Sequence, residues 1–170
     1  HHSKGNFSKA EEIYKNILKE NPNDFAVLLN YGTLLSQTQQ FKKAEDVFKK
    51  CLKIKPKDQM LLYNYGKFFH VNKNFEKAIK FYKESFEINP KNNLSMYNIG
   101  NIYLSQEKFE QAISAFKETI ESEPKNFLAH NNLALSYKNL GKFNEALNSH
   151  KNAIEKNKDY VDGHVNYSTQ

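Results

Sequence analysis

The chain has 170 residues, a formal charge of +6, 13 Phe and 10 Tyr, so it has ample apolar material for a packed interior and does not read as disordered. Every basic residue is a lysine. Without arginine the bidentate contacts that grip phosphate and guanine edges are missing, which argues against nucleic acid as a partner. The single cysteine, Cys51, excludes an internal disulfide or a cysteine metal site and points to a reducing compartment, cytoplasmic or nuclear. No apolar run approaches the ~20 residues of a membrane span.

The chain opens on His1-His2-Ser3, which reads as the remnant of a purification tag, with residues 1–4 as a leader. A helix is expected over 7–20, ending before Pro22, because proline disfavours helical geometry in the residue preceding it. Asp24 is then an N-cap candidate for a helix over 25–37. After a polar turn, Thr38-Gln39-Gln40, a third helix is expected over 41–54, stopping before Pro56. The same alternation gives helices over 59–71, 75–88, 93–105, 109–122, 127–139 and 143–156, with Asp58, Asn92 and Asn126 in the cap position. Residues Tyr160 to Tyr167 begin one more.

The alternation has a fixed period. Ala10, Ala44, Ala78, Ala112 and Ala146 stand 34 residues apart, each preceded by Phe7, Phe41, Phe75, Phe109 or Phe143. Pro22, Pro56, Pro90 and Pro124 hold a third column that Lys158 breaks, and Gly32, Gly66, Gly100 and Ala134 hold a fourth. One two-helix unit is therefore repeated, each copy touching its neighbours: an all-α solenoid of antiparallel helix pairs. Its expected organisation is a half repeat over 5–24, full repeats over 25–58, 59–92, 93–126 and 127–160, and a truncated helix over 161–170. Helix A denotes the first of each pair and helix B the second. Glycine inside a helix costs about 1 kcal/mol relative to alanine, so the glycines are expected to let helix A approach helix B at Ala44, Ala78 and Ala112. Tyr31, Tyr65, Ile99 and Leu133, with Leu35, Phe69, Tyr103 and Tyr137, supply the interior.

The run Tyr97-Asn98-Ile99-Gly100-Asn101-Ile102-Tyr103, followed by Phe109-Glu110-Gln111-Ala112-Ile113 and by Glu123-Pro124, resembles the tetratricopeptide repeat (TPR) consensus. The usual early tryptophan of helix A is replaced by Leu28, Leu62, Met96, His130 and His164. The resemblance implies a right-handed superhelix, helix A lining a concave face, and a scaffold that holds peptides or partner proteins there.

By that analogy the groove positions are the second, fifth, sixth, ninth, twelfth and thirteenth of each repeat. The sixth is uniform: Asn30, Asn64, Asn98, Asn132 and Asn166. A carboxamide offers one acceptor and two donors, so a ladder of them suits the backbone of an extended peptide. It resembles the asparagine ladder in the repeat superhelix of O-linked N-acetylglucosamine transferases. The alternative is that these asparagines face solvent or bond to a neighbouring helix. Around them Met60, Leu94 and Leu128, then Leu29, Tyr63 and Tyr97, then Val71 and Leu104 give an apolar surface or a seam between A helices, while Lys67, Asn101, His70 and Lys138 add polarity.

Chaperone-binding members of the family grip a C-terminal carboxylate with cations from successive A helices. Here the corresponding first-helix pairs are Leu29 and Thr33, Tyr63 and Lys67, or Tyr97 and Asn101, and no register assembles that clamp. A lysine column on helix B, Lys15, Lys49, Lys83, Lys117 and Lys151, reads as a solvated face, with Glu87, Glu121 and Glu155 placed to pair with it. No spaced metal motif or phosphate loop is present, so neither catalysis nor a cofactor is expected, and Cys51 reads as a buried thiol. The faces of the first B helix and of the last A segment are expected to associate end to end. The sequence thus points to a non-enzymatic scaffold segment of a larger protein that holds an extended peptide or partner. The alternatives are a substrate-recruiting arm of an enzyme such as a glycosyltransferase, or a structural subunit of a large assembly.

Overall fold

The computed structural model describes residues 6–91 and 93–156. Within them the chain is helical throughout: α1 (Phe7–Glu20), α2 (Phe25–Gln37), α3 (Phe41–Ile54), α4 (Gln59–Val71), α5 (Phe75–Ile88), α6 (Leu94–Ser105), α7 (Phe109–Ser122), α8 (Phe127–Asn139) and α9 (Phe143–Lys156). The tag remnant, Asn92, Lys158, the segment Tyr160 to Tyr167 and Asn166 lie outside the described residues.

Local chemistry sets the helix ends. Asp24, Asp58 and Asn126 each accept a hydrogen bond from the backbone N–H three residues on, at 3.0, 2.9 and 3.0 Å, satisfying one of the unpaired donors of the first turn. Helix α6 starts one residue later than the sequence suggests. Asn93 takes the cap position, but its amide donates to Glu123 Oε2 at 2.9 Å instead of capping its own helix. The A-to-B turns share one geometry. Gln39, Lys73, Glu107 and Gly141 have φ of 59°, 58°, 58° and 72°, and the following N–H reaches back to Leu35, Phe69, Tyr103 and Tyr137 at 2.9–3.0 Å. This is the left-handed helix stop that glycine adopts without steric cost, here used by three residues with side chains.

The chain divides into two compact units, His1–Phe81 and Tyr82–Gln170, the division falling within α5. In the first, α2 packs on α1, α3 and α4, and α3 on α4. Its centre is aromatic: Tyr65 lies 5.1 Å from Phe48 and 4.5 Å from Phe81, ring centre to ring centre, and Phe69 stacks on Phe81 at 5.5 Å. In the second, α6 packs on α7 and α8, α7 on α8, and α8 on α9. There Ala112, Ile113, Phe116, Ala129 and Leu133 form the core, flanked by half-buried Tyr97, Tyr103 and Tyr137.

The repeated small residues are buried, and Gly32 and Gly100 lie against helix B. Ala44, Ala78, Ala112 and Ala146 are fully enclosed. The surface that Gly32 and Gly100 meet is an aromatic ring one turn further along helix B. A methyl built on Gly32 would stand 3.2 Å from Phe48 Cε1, and one on Gly100 2.5 Å from Phe116 Cε1. Leu28, Leu62, Met96 and His130 fill the place of the usual tryptophan and are buried.

Candidate functional site

The A helices α2 and α4 face each other across a cavity of about 250 Å³ in the first unit. Thr33, Ser36, Gln37 and Gln39 line one side, Asn64, Lys67 and Val71 the other, and Phe48 of α3 lies between. Asn30 and Lys67 are exposed, and Asn64 and Tyr63 half-buried. The Lys67 ammonium lies 5.9 Å from the centre of the Tyr63 ring, within cation–π range. Met60 and Val71 are exposed, whereas Leu29 is buried and belongs to the seam between helices. The Thr33 hydroxyl donates back to Leu29 O at 2.9 Å. His70 is half-buried, and that burial pulls its imidazole below the usual range, favouring the neutral form. Lys67 is therefore the cation that α2 and α4 contribute. Of these lining residues Ser36 and Gln37 hold the twelfth and thirteenth positions of their repeat, whereas Gln39 and Phe48 stand at none of the expected groove positions.

In the second unit the ladder residues engage protein neighbours. Asn98 Nδ2 donates to Leu94 O at 2.9 Å, and Asn132 Nδ2 donates to Asn101 Oδ1 at 2.8 Å. A longer contact of 3.4 Å joins Asn132 Nδ2 to the Tyr97 hydroxyl. The fifth position, a tyrosine at Tyr63 and Tyr97, becomes Asn131 in the next repeat, and the Oδ1 of that residue is buried without a hydrogen-bond partner among the described residues. Leu94, Leu128 and Leu135 are exposed beside this network. Asn166, the last rung, lies outside the described residues.

The outer lysines Lys15, Lys49, Lys83, Lys117 and Lys151 are all exposed. Lys15 pairs with Glu11 at 2.7 Å and Lys49 with Glu45 at 2.9 Å, in each case a glutamate four residues before the lysine. That order agrees with the helix dipole. Among the described residues no group of three His, Cys, Asp or Glu side chains could hold a metal ion, and no helix is long and apolar enough to cross a membrane.

Comparison with known proteins agrees with this geometry. Family models described as tetratricopeptide repeat match residues 1–64, 61–92 and 130–161, and one described as TPR repeat matches 100–141. No curated protein sequence matches the chain. Among solved structures, a crystal structure of MamA is 26% identical with a TM-score of 0.83, covering 94% of this chain and 93% of that one. MamA from Desulfovibrio magneticus RS-1 is 21% identical with a TM-score of 0.80, covering 92% and 88%. PilF of Pseudomonas aeruginosa is 17% identical with a TM-score of 0.81, covering 94% and 72%. The latter two similarities are of fold alone. With the 34-residue register, the paired helices and four matching repeat models, the chain belongs to the tetratricopeptide repeat family.

Proposed function

We propose that this protein-interaction scaffold holds extended peptide segments of a partner protein on the A-helix faces of each unit, with Asn30 and Asn64 contacting the peptide backbone in the first and Asn98 and Asn132 in the second. Asn166 would extend the set, and Met60, Tyr63, Leu94, Tyr97, Lys67 and Asn101 would contact side chains. The observation that carries this reading is the cavity between α2 and α4, open to solvent and lined by the carboxamides of Asn64 and Gln37. A carboxamide there serves backbone N–H and C=O alike, independent of peptide sequence. In the second unit the Asn132 bond to Asn101 leaves the Asn132 carbonyl as the group to offer, and peptide docking there exchanges one amide partner for another.

The test is a diverse peptide array probed with the chain and with Asn64→Ala/Asn98→Ala/Asn132→Ala. Sequence-tolerant binding that the triple variant loses is the expected result. Binding unchanged by the substitutions would overturn the ladder reading.

A second reading, self-association through α1, is favoured by one observation: Ile13 and Ile17 on that helix are 49% and 38% exposed. Their counterparts in α3, Val47 and Cys51, are half-buried and fully buried beneath its neighbours. Sedimentation velocity over a concentration series should show association that Ile13→Lys removes, and a monomer at every concentration would exclude it.

A further inference from the structure

The acidic residues avoid the A helices among the described residues. The chain has 19 Asp and Glu, yet none lies in α2, α4, α6 or α8. In the first unit α2 contributes no charged side chain at all and α4 contributes Lys67 as its single lysine. That lysine makes no ion pair among the described residues, unlike Lys15 and Lys49 on the outer helices, which are neutralised by Glu11 and Glu45.

The surroundings of Lys67 suit a carboxylate. The cavity it borders carries the carboxamides of Asn64 and Gln37 as further donors, and among the described residues no carboxylate lines it. The rest of its lining includes Val71, which is 59% exposed, and Phe48, which is fully enclosed. In an extended peptide, alternate side chains point to the same side, so an acid facing Lys67 has its second neighbour facing the same cavity.

We infer that the groove of the first unit selects peptide segments bearing a side-chain carboxylate, with Lys67 as the ion-pairing residue and an apolar side chain two positions away resting on Val71. This rests on the peptide-groove reading above and adds the chemistry of the partner. Charge complementarity of this kind steers encounter and selects among partners more than it adds affinity.

Fluorescence anisotropy with labelled octapeptides, acetylated and amidated at their ends, tests it. The peptides share one sequence except for a central Glu, Gln or Lys two positions from a leucine. The whole chain should bind the Glu peptide about fivefold tighter than the Gln peptide, the advantage of one partly exposed ion pair. Lys67→Gln should erase that preference, and Lys67→Glu should transfer it to the Lys peptide. Raising salt from about 50 to about 500 mM should weaken the Glu peptide selectively. Equal affinity for Glu and Gln peptides, a preference that survives Lys67→Glu, or binding that appears only when the peptide has a free C-terminal carboxylate would each overturn the inference. If Asn64→Ala weakens all peptides alike while the unmodified chain shows no Glu preference, the groove reading stands and this one fails. No binding by any peptide overturns both.

Discussion

Gly100 approaches Phe116 so closely that a methyl group on it would lie 2.5 Å from the ring's Cε1 and 2.8 Å from Cδ1. Gly32 stands in the same relation to Phe48 with more room, at 3.2 Å. In the last repeat the corresponding residues are Ala134 and His150, both buried. There a methyl on helix A accompanies a smaller ring on helix B. Size is thus traded between two columns that face each other.

Alanine substitution should separate the two glycines. Gly100→Ala is expected to destabilise by about 1–3 kcal/mol, because the ring cannot be displaced without repacking the core. Gly32→Ala needs only a few tenths of an ångström from Phe48, and the gain in helix propensity of up to about 1 kcal/mol offsets much of that. It should be close to neutral. Urea unfolding of both variants checks the order, and adding Phe116→Leu to Gly100→Ala should recover part of the loss.

The left-handed turn residues give a prediction of opposite sign. Gln39, Lys73 and Glu107 hold φ near +58° with a Cβ, which costs about 1–2 kcal/mol relative to the right-handed region. Replacing each by glycine should raise stability by about 0.5–1 kcal/mol after the entropic cost of glycine is subtracted. Gly141→Ala should lower it by a similar amount, although nothing crowds the added methyl. Melting temperatures of the four variants test this.

His150 makes stability depend on pH. Burial, and secondarily the nearby Lys138, hold its imidazole below the ordinary 6.5, and Nδ1 has no hydrogen-bond partner among the described residues. The folded state therefore keeps the ring neutral while the unfolded chain takes up a proton. The sign follows: the contribution is present above about pH 6.5 and is lost as pH falls from there through the folded value. An NMR titration of the ring should give a midpoint below 6.5, and a variant with His150→Phe should lose this part of the pH dependence. A midpoint at or above 6.5 would contradict the assignment.

Cys51 should be chemically silent in the native protein. Its side chain is fully enclosed and burial pushes the thiol up to about 11, so almost no thiolate exists at neutral pH. Reaction with a maleimide should occur at the rate of unfolding, and in urea it should accelerate in step with the loss of helix. Cys51→Ser should fold, since Ser85 and Thr119 occupy the same position of later repeats and are equally buried.

The helices are legible in the sequence because their ends are set by near neighbours: a proline, a capping Asp24 or Asp58, a turn residue. Where a distant group intervenes, legibility fails. Asn93 does not cap α6 because its amide is drawn to Glu123, thirty residues away. The glycine column is visible, but not the ring it meets. Phe48 and Phe116 lie sixteen residues from Gly32 and Gly100, and their column shows Tyr82 and His150 as well, which disguises its common role. The asparagine column is equally visible, whereas the bond from Asn132 to Asn101 depends on how neighbouring A helices are spaced. The lysine column is exposed, as its periodicity suggests, and Lys15 and Lys49 pair with glutamates on their N-terminal side, where the pair aligns with the dipole of its own helix.

Helix α1 contains no buried residue, although it carries the same phenylalanine and alanine columns as the helices that follow. In a structure where every helix is secured only by those beside it, cohesion is graded along the chain. Amide hydrogens of α1 should exchange with solvent faster than those of α2 and α3. Glu11 of α1 accepts hydrogen bonds from Tyr31 of α2 and from Gln40 at the start of α3, so loosening of α1 would be felt at both of those helices through that one carboxylate.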